Sequence, residues 1–237
     1  MKNNLGRVGV HTFHKNHRFI IKLVLCVGLV LQMPALVFAQ QTGALEPDKL
    51  VRKIVEDVMK TVKSDPEMQK GDIRKIQELV ETKILPHADF QKATESAMGP
   101  NWKQATNKQK TEVLKEFKRL LIRTYAGAIS QIRDQTVEFK PLRANPKDTK
   151  VVVDTGVINH GEKVPISYRL SKTCDNPNEL PKECTQFSWK VIDINVLGAW
   201  LVYTYRSQFQ REINDGGIDG LIRFLQTRNN SLINDGG

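Results

Sequence analysis

His87, His160, Cys174, Cys184 and Asp193 are the residues whose types and surroundings could do chemistry in this chain. His87 follows Pro86, and His160 sits in the turn Asn159-His160-Gly161-Glu162. An acid, base or ligand role needs a partner within hydrogen-bond reach, and neither histidine has one nearby in sequence. Asp193 alternates with Trp189 and Val191, so it could stand on their strand face as the general base of a small isomerase or dehydratase. A strand-end Asp bonded to backbone or water is the plainer reading. Gly156 and Gly161-Glu162-Lys163 come within one residue of a phosphate loop. However, Glu162 stands where the lysine belongs, and the segment lies between two alternating runs instead of opening a helix. It reads as a hairpin turn. There is no G-x-S-x-G elbow and no H-E-x-x-H pair. The 3 Cys and 5 His leave little material for a metal centre, and no cofactor is expected.

The first 39 residues read as a leader to be removed and not as part of the fold. Lys2, Arg7, Lys15, Arg18 and Lys22 form a basic stretch with no acid, Leu23 to Leu31 is apolar, and Val37-Phe38-Ala39 offers small residues where a signal peptidase reads. Cleavage after Ala39 and export are expected. The apolar run, broken by Gln32 and Pro34, is shorter than the roughly 20 residues a spanning helix needs. The whole chain has 36 basic and 26 acidic residues. Removing the five leader cations lowers the net charge from +10 to +5. That charge fits a soluble basic surface with at most transient contact with anionic membranes. No basic stripe interleaved with aromatics suggests nucleic acid. In an exported chain the remaining pair, Cys174 and Cys184, favours a disulfide closing the loop Asp175 to Glu183.

The elements read as helices, then strands, then helices. Leu50, Ile54, Val58 and Val62 make a helical stripe behind Pro47 that ends at Asp65-Pro66. Ile73, Ile76, Val80 and Ile84 make a second, from Asp72 to Leu85 before Pro86. A third helix covers Asp89 to Met98 and stops at Gly99-Pro100. Thr106 and Gln109 form a capping box that opens a helix of about 25 residues with Val113, Phe117, Leu120, Leu121, Tyr125, Ala128 and Ile132 as its stripe. After Arg133 the period becomes two. Val137 and Phe139 lead. Val151, Val153 and Val157 alternate with Val152, Asp154 and Gly156, and Val164, Ile166, Tyr168 and Leu170 return across the turn at His160. Phe187, Trp189 and Val191 begin a fourth strand. Four locally joined strands imply an antiparallel sheet with one apolar face. Helical spacing resumes near Trp200 with Leu201, Tyr205, Phe209 and Ile213, stops at Asn214-Asp215-Gly216-Gly217, and ends in a short helix carrying Leu221, Phe224 and Leu225. The pentapeptide Ile213 to Gly217 recurs as Ile233 to Gly237, read as repeated helix-end chemistry. These apolar stripes could be ordinary core or the lining of a ligand cavity, and periodicity does not separate the two.

Four ordered motifs carry a resemblance. Gly99-Pro100-Asn101-Trp102-Lys103-Gln104-Ala105-Thr106 with Gln109, Phe117, Leu121 and Thr124-Tyr125-Ala126 is the first. Trp189-Lys190-Val191-Ile192-Asp193 is the second. Gly198 with Leu201-Val202 and Tyr205-Arg206-Ser207-Gln208-Phe209 is the third, and Gly220-Leu221-Ile222 closes the set. Over roughly residues 46 to 228 the chain resembles the toluene-tolerance (MlaC) family of periplasmic phospholipid carriers. It departs from the family at Trp200, where Ser is usual at a helix start, at Thr204, and in the Cys174 to Cys184 insertion.

The resemblance implies an α+β fold: an NTF2-like curved antiparallel sheet packed with helices, plus an added helical subdomain. The parts would be helices at about 46–132, sheet at about 135–197 and C-terminal helices at about 200–233, all one lipid-binding domain. It also implies an apolar cavity for acyl tails, with no catalysis. Expected lining residues are Trp102, Phe117, Leu121, Tyr125, Val151, Val153, Val157, Ile166, Tyr168, Leu170, Trp189, Val191, Leu201 and Tyr205. The implied partners are an inner-membrane ABC transporter with its MCE-domain protein and an outer-membrane lipoprotein–porin complex.

Overall fold

The computed structural model describes residues 46–176 and 184–234. The expected leader, the middle of the cysteine loop and the end of the second pentapeptide lie outside the described residues.

The first helix, α1 (Pro47–Ser64), opens on a proline whose missing N–H would have no intrahelical partner anyway. Asp65 caps α2 (Pro66–Gln69) by accepting the Glu67 and Met68 N–H groups, and Asp72 caps α3 (Ile73–Leu79) in the same way. The α-helix expected to run on to Leu85 changes character instead. It widens to a π-helical turn at Val80–Ile84 and tightens to a 3-10 turn at Leu85–His87. Pro86 has no N–H to donate and its ring would clash with the carbonyl four residues back in a regular α-helix, so the i to i−4 ladder fails as the proline approaches, although Leu85 itself stays in the α region. Asp89 caps α4 (Phe90–Met98), which stops at Gly99. That residue has φ +59, and a Cβ there would also lie 3.2 Å from the Arg206 guanidinium, so only glycine fits. A short α5 (Asn101–Gln104) carries Trp102. The capping box is present as read. Thr106 Oγ1 accepts the Gln109 N–H at 3.2 Å, and Gln109 Oε1 accepts the Thr106 N–H at 3.0 Å, opening α6 (Asn107–Ser130).

Five strands follow in a meander, each antiparallel to the next: β1 (Thr136–Phe139), β2 (Lys150–Asn159), β3 (Glu162–Cys174), β4 (Phe187–Val196) and β5 (Ala199–Trp200). The β2–β3 hairpin turns through His160 (φ 47) and Gly161 (φ 87), the left-handed pair a two-residue hairpin loop requires. Leu197 (φ 53) and Gly198 (φ 91) repeat that geometry before β5, a two-residue strand that hydropathy did not reveal. Cys174 and Cys184 are bonded, with Cα atoms 5.9 Å apart, between the ends of β3 and β4.

The register puts Val151, Val153, Thr155 and Val157 directly opposite Leu170, Tyr168, Ile166 and Val164. These residues therefore share one sheet face, as the alternation predicted. Val137 and Phe139 join them opposite Val157 and Thr155. One expectation is corrected on β4. A bulge lets Val191 pair with Leu170 while Asp193 pairs with Arg169, so one extra residue, Ile192, reverses the parity. Asp193 stands on the opposite, polar face, away from Trp189 and Val191.

The last helix, α7 (Leu201–Asn234), is broken at Gly216 and Gly217, where the glycine stop was read, and its second part continues to Asn234, within one residue of the expected end of the C-terminal helices. Its Leu221 and Leu225 are buried with Val113, Phe117 and Leu120 of α6. The same helix pair is tied by Asn229 Nδ2, which donates to the Glu116 carbonyl at 3.0 Å and to Glu116 Oε2 at 2.8 Å. Three apolar clusters result. One joins α4, α5, α6 and α7, one lies between α1 and the sheet, and a small third one joins Val62, Met68 and Leu79 with Ile129 and Ile132. Among the described residues no helix is long and apolar enough to cross a membrane.

Candidate functional site

The apolar face of the sheet is closed at one end and open at the other. At the closed end Val151, Val153, Leu170 and Trp189 are buried together with Leu50 and Val51 of α1, and Tyr168 and Val191 pack against them. Val153 retains only 1% of its exposure. Toward the hairpin, Val157, Val164, Ile166, Ile194 and Val196 on the same face are only half-buried. Aliphatic side chains in a filled core are normally hidden, so a contiguous half-exposed row is the unusual observation. It leads into a groove of about 580 Å³ between α1 and β1. Val55, Met59, Val137 and Phe139 give that groove its apolar lining, and Arg52, Glu56, Lys60 and Lys63 supply its charge. Because Val137 and Phe139 lie opposite Val157 and Thr155, the groove continues the apolar face to the free edge of the sheet.

The expected lining residues thus fall into two groups. Val151, Val153, Val157, Ile166, Tyr168, Leu170, Trp189 and Val191 share the sheet face. Trp102, Phe117 and Tyr205 are buried in the helical cluster, against which Leu121 and Leu201 pack. There the Phe117 ring meets Tyr205 and Phe209 edge-on, each at 4.9 Å, and stacks with Phe90 at 5.7 Å. Tyr125 is half-buried and shares a hydrogen bond with Tyr205. Burial raises the Tyr125 phenol, and burial together with the neighbouring Tyr125 pushes Tyr205 up to about 12. Burial also pushes Tyr168 up to about 12, against a hydrogen bond with Thr155.

The polar face of the sheet holds the one carboxylate that could have been a base. Asp193 is buried and accepts from Arg169 Nη1 at 3.0 Å, from the Val202 N–H at 3.0 Å and from the Ile194 N–H at 2.9 Å. Val202 is the second residue of α7, so Asp193 caps that helix in place of the serine whose position Trp200 occupies. Trp200 lies under the Arg169 guanidinium, 3.8 Å from ring centroid to carbon. Burial raises the Asp193 carboxyl, while the Val202 N–H, Arg169 and the Ile194 N–H pull it down. With its lone pairs committed to structure, Asp193 is not aimed into the apolar trough. His87 ends the 3-10 turn, and burial, with Lys53 and Lys190 nearby, lowers its pKa. His160 is an exposed turn residue.

Sequence reasoning missed the groove. Val55 and Met59 sit one helical turn apart beside the main α1 stripe, and Val137 with Phe139 alternate on β1. Both signals are visible in the sequence, but only the register of β1 on β2 unites them. The recurring motif residues, in contrast, turn out to hold the helical layer together: Gly99 lies against Arg206, Gln109 Nε2 donates to Asp219 Oδ1 at 2.9 Å, and Trp102, Phe117, Tyr205 and Phe209 share one cluster.

The family model described as MlaC protein matches residues 52–227. Among solved structures, the chain is similar to a phospholipid-binding protein from Ralstonia solanacearum, determined in complex with a phospholipid. The two are 44% identical, the match covers 80% of this chain and 99% of that one, and the TM-score is 0.73. With the family model spanning most of the chain and a solved relative of that identity, this chain belongs to the MlaC protein family.

Proposed function

We propose that this chain is a periplasmic phospholipid carrier. It holds acyl tails in the apolar trough on the sheet and passes lipid between an outer-membrane lipoprotein–porin complex and an inner-membrane ABC transporter with its MCE-domain protein. The observation that carries the reading is the half-buried row Val157, Val164, Ile166, Ile194 and Val196, which continues into the groove beside α1. The 44% identical relative holds a phospholipid, which supports the same ligand class here.

The energetics explain the need for such a trough. Two tails of about 30 methylenes at ~0.8 kcal/mol each would meet a barrier near 24 kcal/mol in water. An apolar trough replaces one oily phase by another, so transfer is nearly neutral and its direction is left to the partners. The enzyme alternative has lost its base, because Asp193 lies on the other face. In a vesicle assay, catalytic amounts of the purified protein should accelerate movement of a fluorescent phospholipid from donor to acceptor membranes. A rate equal to that of buffer alone contradicts the proposal.

A further inference from the structure

The groove between α1 and β1 carries more charge than acyl tails require. Its lining includes three cations, Arg52, Lys60 and Lys63, against one carboxylate, Glu56. Arg52 is already engaged, 3.7 Å from Glu56 Oε1 and 4.0 Å above the Phe139 ring. Lys60 and Lys63 lie one turn apart on the exposed flank of α1. Among the described residues neither forms an ion pair, and Lys63 Nζ reaches only the Gln135 carbonyl, at 3.4 Å. Two uncompensated ammonium groups therefore stand beside an apolar floor made by Val55, Met59, Val137 and Phe139.

An apolar floor with cations at its rim matches an amphiphile whose head is anionic. A zwitterionic head brings its own cation, which cancels most of the attraction. A head with net negative charge leaves its phosphate for the two lysines. We infer that this groove is the headgroup mouth of the trough and that Lys60 and Lys63 make the protein select phospholipids with net-anionic heads. The inference rests on the carrier reading and adds a substrate class and two specificity-determining residues.

The test uses the purified protein stripped of lipid and incubated with vesicles of equimolar phosphatidylethanolamine and phosphatidylglycerol. The protein is re-isolated, and each bound lipid is quantified by mass spectrometry. Wild type should retain more phosphatidylglycerol than phosphatidylethanolamine. The double variant Lys60→Glu/Lys63→Glu should lower that ratio by about threefold or more, as expected for reversing two exposed charges, through loss of bound phosphatidylglycerol and with a near-normal melting curve. Lys103→Glu/Lys108→Glu has the same net charge at two other exposed positions and should keep the wild-type ratio. A wild-type ratio of one or below, an unchanged ratio in the groove variant, or an equal change in the control overturns the inference and leaves the carrier reading standing. A wild-type protein that takes up neither lipid overturns the carrier reading, and the inference with it.

Discussion

At the scale of single residues, the Asp193 carboxylate joins sheet to helix, holding Arg169 from β3 and the N-terminus of α7 together. Replacing it with Ala removes the cap and leaves the guanidinium without its partner, which should cost about 1–2 kcal/mol. Asp193→Asn keeps an acceptor for Val202 and should cost less. Thermal denaturation should rank the three proteins in that order, while lipid retention stays the same in all of them; lipid loss in the Asn variant alone would return Asp193 to the ligand site. Trp200→Ser is the companion change. The cap it could restore is already supplied by Asp193, so the substitution mainly removes the stack with Arg169 and should lower stability by roughly 0.5–2 kcal/mol. A rise in melting temperature would show that the indole contributes nothing. Tyr168 and Tyr205 make a pH prediction. Their folded pKa values of about 12 exceed the unfolded value of about 10, so their contribution to stability is fully present below pH ~10 and is lost as pH rises through ~12. Alkaline absorbance titration should find both phenols resisting ionisation until the fold opens. Early ionisation of all the tyrosines would contradict their burial.

At the scale of elements, what was legible depended on the kind of signal. The capping box at Thr106 and Gln109, the stop at Gly216-Gly217 and the two-residue alternation of β2 and β3 rest on local rules, so the residues alone announced them. The bulge at Ile192 and the π-helical turn after Leu79 each change the count by one residue without changing composition. Nothing in the hydropathy pattern marks them, and the bulge is what misassigned the Asp193 face. Two elements supply tests. The disulfide closes a short loop at the β3–β4 end, so Cys174→Ser/Cys184→Ser should lose at most about 3 kcal/mol and remain folded with its lipid. Unfolding of the double variant would mean that the loop supports the whole sheet. The open and closed ends of the apolar face should also respond differently to bulk. Val153 is packed against α1, and Val153→Trp should cost roughly 1–3 kcal/mol by overpacking. Ile166 is half-buried, so Ile166→Trp should melt near wild type yet retain less phospholipid. If Ile166→Trp destabilises as much as Val153→Trp, that end of the sheet is ordinary core.

At the scale of the whole molecule, the helical layer and the sheet face have separate cores, and this division was not readable from the sequence. Trp102, Phe117 and Tyr205 have the same stripe chemistry as Val151 and Leu170, and only packing assigns the first group to helix–helix contacts and the second to the sheet. The apolar surface left half-covered beside α1 is the property on which a carrier depends, because a filled core would have no room for acyl chains. Organic extraction of the freshly purified protein, followed by mass spectrometry of the extract, tests that claim most directly. Phospholipid is expected in stoichiometric proportion to protein, greatly reduced in Ile166→Trp and unchanged in Asp193→Asn. A fully folded wild-type protein that yields no phospholipid would contradict it.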